Sequence, residues 1–151
     1  MKINEEVINF FEKQGFAIFS TIDHKGNIHC SAKGIIKVEP DGTVYLMDVY
    51  HGVTFKNLKA NPVSSVTAVD EKSFKGYTLK GKAKIVDKED IKNVIVKKWE
   101  EKLVSRITAR VIKSVKSDRK SSVHPEADLP LLKYLICMKT ESIVDLTPAR
   151  R

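Results

Sequence analysis

The sequence predicts a mainly β fold, a six-stranded antiparallel barrel with flanking helices. Short alternating apolar segments recur and are joined by tight turns containing Gly26 and Gly42. Helical spacing is confined to three places: the start of the chain, a short stretch after the third strand and a long stretch before the last one. With 151 residues, 42% of them hydrophobic, the chain has the material for one core without staples and is read as one domain, 1–151.

Ile3, Val7, Ile8, Phe10 and Phe11 keep helical spacing within 1–14, and Gly15 supplies the stop. The barrel strands occupy 16–86. Phe16 to Ile22 is the first, followed by the Asp23 to Asn27 turn. The second runs from Ile28 to Val38, then the Glu39-Pro40-Asp41-Gly42 turn leads to a third, Thr43 to Met47. Thr54 to Ala60 reads as a short helix ended by Asn61-Pro62. Val63 to Val69 is the fourth strand and Phe74 to Val86 the fifth. Gly81 inside that fifth strand predicts a bulge or a close approach. Ile91, Ile95 and Trp99 begin a helical region at 89–117, read as a pair of helices, with Trp99 placed in the core or at a dimer contact. A loop follows, and 132–145 is the closing strand.

Composition excludes several classes. No apolar run approaches the roughly 18–20 residues of a membrane helix, and the acidic N-terminus argues against a signal peptide. Cys30 and Cys137 form neither a disulfide framework nor a zinc site, which suits a reduced, cytoplasmic protein. The four histidines show no metal-ligand spacing, and no Gly-x-Ser-x-Gly elbow exists. The net charge of +8 is densest at Lys102 to Lys120. That stretch lacks the interleaved aromatics of a nucleic-acid surface, so nucleic acid is not the expected partner.

Two segments carry chemistry. Between the third strand and the short helix lies Asp48-Val49-Tyr50-His51-Gly52-Val53-Thr54, with Lys56 beyond. A helix N-terminus offers unpaired amides and partial positive charge, with Thr54 as its cap and Lys56 nearby, so a phosphate suits it; an ordinary cap beside a surface lysine is the plain alternative. The second segment is the start of the second strand, where Cys30, Ser31, Ala32 and Lys33 are small or polar. A flat ligand lying on a strand needs small side chains beneath it, although a barrel corner selects the same residues.

Together these segments resemble the pyridoxamine 5′-phosphate oxidase-like family of FMN-binding split barrels. The resemblance rests on Phe16 to Thr21 with its turn, on Gly42 to Met47, on Lys56-Asn57-Leu58-Lys59-Ala60-Asn61-Pro62 and on Tyr77 to Ala83 with its central Gly81. It implies a homodimer with FMN at the interface. It implies that Cys30, Ser31, Ala32 and Lys33 border the ring, Met47 and Asp48 flank ring and ribityl chain, and His51, Gly52, Val53 and Thr54 form the phosphate loop. Lys33 is then a candidate donor to the ring's pyrimidine edge. Many relatives carry a basic residue at the positions of Val53 or Thr54; here Lys56, His51 or the 102–120 segment stands in. The basic and aromatic set that binds pyridoxal phosphate in true oxidases is not recognisable, so pyridoxamine oxidation is not implied. An FMN oxidoreductase of small molecules is the reading; the alternatives are a deazaflavin (F420) reductase and a non-enzymatic flavin or haem module.

Overall fold

The computed structural model describes residues 1–48, 52–117 and 134–149. Helix α1 (Glu5–Lys13) is capped by Asn4, whose Oδ1 accepts from the Val7 amide at 2.9 Å. Strands β1 (Ala17–Ile22), β2 (Ile28–Val38) and β3 (Thr43–Asp48) follow as a meander. Gly26 (φ +86°) and Gly42 (φ +91°) supply the left-handed turn conformations expected of the two turns. Then come α2 (Val53–Ala60), β4 (Val63–Asp70) and β5 (Lys75–Asp87). A single 3₁₀ turn, Lys88–Asp90, precedes α3 (Asn93–Ser117), and β6 (Tyr134–Asp145) closes the sheet.

All pairings are antiparallel, and the six strands close into a barrel in the order β1-β2-β3-β6-β5-β4. The expected pair of helices is one continuous helix, α3: the heptad-like apolar positions run on through Leu103 with no Gly or Pro to stop them. Its start lies at Asn93 rather than Glu89, because Lys88 to Asp90 winds into the 3₁₀ turn. The loop read at 117–130, with His124, lies outside the described residues, as do Tyr50 and His51.

Two hydrophobic clusters organise the molecule. Phe19, Val44, Leu46, Val66, Leu79, Ile136 and Met138 fill the barrel. Val7 and Phe11 of α1, with Ile3 just before it, close one end of it, while α2 lies across the other, where Leu58 is buried. The second cluster is outside the barrel wall: Ile36, Met47 and Leu135 pack against Ile91, just before α3, and Ile95 and Trp99 of α3. Trp99 is thus a core residue, 4% exposed. Lys98 of α3 pairs with Glu12 of α1 at 3.0 Å, and Lys102 donates to the Ile35 carbonyl at 2.9 Å, tying α3 to the wall.

The Asp41 carboxylate accepts from Lys139 Nζ at 2.7 Å across the β3–β6 ladder and from the Thr43 amide at 2.9 Å. Those hydrogen bonds, from Lys139 first and then from Thr43, hold its carboxyl well below the usual range. A carboxyl depressed in the folded state lends stability that is present above its unfolded pKa, about 4, and is lost as pH falls through the lower folded value. Asp41→Asn should therefore reduce stability at pH 7 and lose that effect only as pH falls toward the depressed folded pKa, flattening the acid limb of a pH–Tm curve. An unchanged limb would dismiss the linkage.

Among the described residues no helix is long and apolar enough to cross a membrane.

Candidate functional site

The site forms where β2, β3 and β6 meet the first turn of α2. Among the described residues the β2–β3 ladder runs from Gly34 and Met47 onward, and β2 pairs with β1 along Ile28 to Lys33. Early β2 reaches the start of α2 through its side chains: Ser31 Oγ and Thr54 Oγ1 are 3.0 Å apart.

Alternation along β2 divides the residues that the sequence grouped together. Cys30 and Ala32 point outward and are exposed; Ser31 and Lys33 point toward α2 and β3. Small side chains do not form one continuous floor, because a strand cannot present consecutive residues on the same face. Cys30 is not a buried small hydrophobe: it is exposed, with Sγ 3.3 Å from Ser20 Oγ.

Thr54 is not the helix cap. Gly52 is, in extended conformation and with no side-chain hydrogen bond to the first turn. Thr54 sits two residues further in and is 3% exposed, its hydroxyl bonded to Ser31. The glycine cap brings no side-chain acceptor of its own to the helix-end amides. Deeper along α2, Asn57 Nδ2 donates to the buried Thr21 hydroxyl at 3.0 Å, fixing the helix to β1. Val53 is half exposed and Lys56 is exposed beside this end of the helix.

Lys33 and Asp48 form a buried ion pair, Nζ to Oδ1 2.7 Å, with side-chain exposures of 13% and 1%. Asp48 and Tyr134 are cross-strand partners in the β3–β6 ladder. Burial first, and then the adjacent Asp48 carboxylate, push the Tyr134 hydroxyl well above the ordinary phenol range, so it is a donor held by Asp48. An ammonium carries three donors; one goes to Asp48, leaving two for other acceptors. Tyr134 was missed by sequence reasoning. Its only signal was an aromatic at the start of the last strand, and its partner Asp48 lies far earlier in the chain, on β3. Met47 is buried against α3 rather than turned to this region.

The structure thus brings together Ser31, Lys33, Asp48, Gly52 and Thr54, adds Tyr134, and leaves Cys30, Ala32 and Met47 on other faces. His51 lies outside the described residues. Among the described residues no group of three or more His, Cys, Asp or Glu side chains is arranged to hold a metal.

Comparison with known proteins agrees with this architecture. Among curated proteins none matches the sequence. HupZ of Group A Streptococcus superposes with a TM-score of 0.69 at 19% identity, covering 96% of this chain and 94% of its own. A Clostridium acetobutylicum protein related to general stress protein 26, of the pyridoxinephosphate oxidase family, gives 0.56 at 17%, over 95% and 89%. HutZ, a heme storage protein from Vibrio cholerae, gives 0.56 at 13%, over 95% and 94%. At these identities the likeness is one of fold. The family model for pyridoxamine 5′-phosphate oxidase matches residues 3–128, which includes every element from α1 to α3. With five of the six barrel strands and the α2 turn inside that match, the chain belongs to the pyridoxamine 5′-phosphate oxidase family.

Proposed function

We propose that the chain binds FMN non-covalently between two copies of itself and acts as an oxidoreductase on a small molecule. The observation that carries this reading is the approach of early β2 to the glycine-capped start of α2, where Ser31 and Thr54 share a hydrogen bond. A flavin ring needs backbone donors and acceptors at its polar edge, and a phosphate needs helix-end amides and hydroxyls. The residues present fit both needs. Ser31 and Thr54 supply the hydroxyls, Gly52 keeps the approach clear of a side chain, and Lys56 supplies positive charge at the same helix end. Lys33, anchored by Asp48, has donors left for the ring's pyrimidine edge.

A second copy is supported by the outer face of β1, β2 and β4. Ile18, Ser20, Ile28, Cys30, Ala32 and Thr67 share it and carry no charge, in a chain where 30% of residues are charged. Uncharged, partly apolar faces of this kind mark interaction surfaces. When bound, the flavin supplies the electron or hydride chemistry. The protein's part is to grip the phosphate at α2, hold Lys33 in place through Asp48 and Tyr134, and shield the ring from water.

The test is titration of the purified protein with FMN, with a deazaflavin and with haem, haem being included because HutZ shares the fold. Saturable FMN binding by a dimer is expected. Thr54→Val should weaken FMN by about tenfold, the worth of one charge-assisted hydrogen bond, and Thr54→Ser should restore it. Binding of haem or deazaflavin without FMN would overturn the cofactor assignment. Unchanged FMN affinity in Thr54→Val would overturn the placement of the phosphate.

A further inference from the structure

We propose that the cleft on the β5 side of α2 binds a small monoanion with an aromatic body, at a place separate from the α2 N-terminal turn. The cleft has a volume of about 480 Å³ and is lined by Phe55, Leu58 and Lys59 of α2, Lys84, Ile85 and Asp87 of β5, and Tyr134 of β6. That volume lies within the roughly 300–1,000 Å³ of small-molecule sites.

Its chemistry is divided between floor and rim. The rings of Phe55 and Tyr134 meet edge to face, with centroids 5.2 Å apart, and Leu58 and Ile85 extend the apolar wall. Tyr134 presents its ring, since its hydroxyl is engaged by Asp48. The body of a ligand resting there is apolar and flat. Among the described lining residues Lys59 and Lys84 stand against one acid, Asp87. Lys59 Nζ lies 4.7 Å from the Phe55 ring centroid, so its charge is held over the aromatic floor. Two cations facing one anion leave a net charge that one carboxylate neutralises, and Asp87 opposes a more highly charged ligand.

The cleft is distinct from the turn described above. Thr54 and Asn57 point to β2 and β1, whereas Phe55 and Lys59, on the other side of the helix, point to β5 and β6. Tyr134 borders both places, its hydroxyl on Asp48 and its ring in the cleft.

Calorimetric titration of the full chain with naphthoate, and with naphthalenemethanol as its neutral counterpart, tests it. One site is expected, with naphthoate bound about tenfold more tightly than the alcohol. The K59Q/K84Q variant should lose that preference while its Tm stays in place. Changing Lys25 and Lys72, exposed in distant turns, to Gln should leave the preference intact. Ile85→Trp should block both ligands by filling the cleft. No binding of either ligand, equal affinity for the two, or a preference that survives in K59Q/K84Q would overturn the proposal. Because the lysine variant leaves the core alone, its titration is decisive even if Ile85→Trp fails to fold.

Discussion

Replacing Lys33 with Met should cost about 3–5 kcal/mol of folding stability, because it strands the Asp48 carboxylate, 1% exposed, with Tyr134 as its remaining hydrogen-bond donor of this network. In a domain of this size the corresponding drop in Tm is about 10 °C. The reverse change, Asp48→Leu, should cost less. Lys33 is 13% exposed, and its flexible stem lets the ammonium turn toward water in a way that the short Asp48 side chain cannot. The double variant K33M/D48L removes both charges and should recover most of the loss, as replacement of a whole buried pair by apolar groups often does. Urea unfolding of the four proteins gives the coupling energy directly. Losses that simply add, or a Lys33→Met cost under about 1 kcal/mol, would show that the pair is no more than a surface contact. Any effect of Lys33→Met on a bound cofactor has to be measured well below its own unfolding temperature, or loss of fold will be mistaken for loss of a donor.

Gly81→Ala should be about as damaging and by a different route. Gly81 sits at the register shift between β5 and β6, opposite Thr140. A Cβ there would be driven into the Lys139 backbone carbonyl, which has no flexible end to move aside. Relief requires the two strands to separate, and β5–β6 is the longest ladder of the barrel. We expect a loss above about 3 kcal/mol, or failure to accumulate folded protein. Gly15 is the matched control. A Cβ there meets nothing within 4 Å, so Gly15→Ala should stay within about 0.5 kcal/mol of the parent. Gly26 falls between: its surroundings are open, but φ is +86°, so Gly26→Ala should cost about 1 kcal/mol through backbone strain alone. Thermal unfolding should rank the three variants in the order Gly81, Gly26, Gly15, from most to least damaged. A Gly81→Ala protein that melts with the parent would sink the steric explanation.

Much of the architecture is local physics and was legible in the sequence alone. Period-two stretches bounded by Asp-His-Lys-Gly-Asn and Glu-Pro-Asp-Gly became β1, β2 and β3 almost residue for residue, because turn chemistry and strand pattern act over a few neighbours. Gly81 announced a bulge for the same reason. The single α3 was less legible: its continuity depends on what it packs against, and the 3₁₀ turn before it mimics a helix start.

The candidate site was legible as a neighbourhood and not as an arrangement. The oddly small residues of β2 and the Gly-containing turn before α2 were visible as composition. Three features were not. Which of Cys30 to Lys33 faces α2 depends on the phase of the strand. The identity of the α2 cap depends on where the chain leaves β3. The Lys33–Asp48–Tyr134 group depends on β6 joining β3 across the barrel. The sequence by itself determined the strands, their turns and the family to which they belong, since these follow from periodicity and short-range conformational preference. Only the tertiary structure decided which polar groups share a buried space. Ion pairing, burial and the shape of a cleft are set by distances between segments far apart along the chain, and those come into being only when the barrel closes.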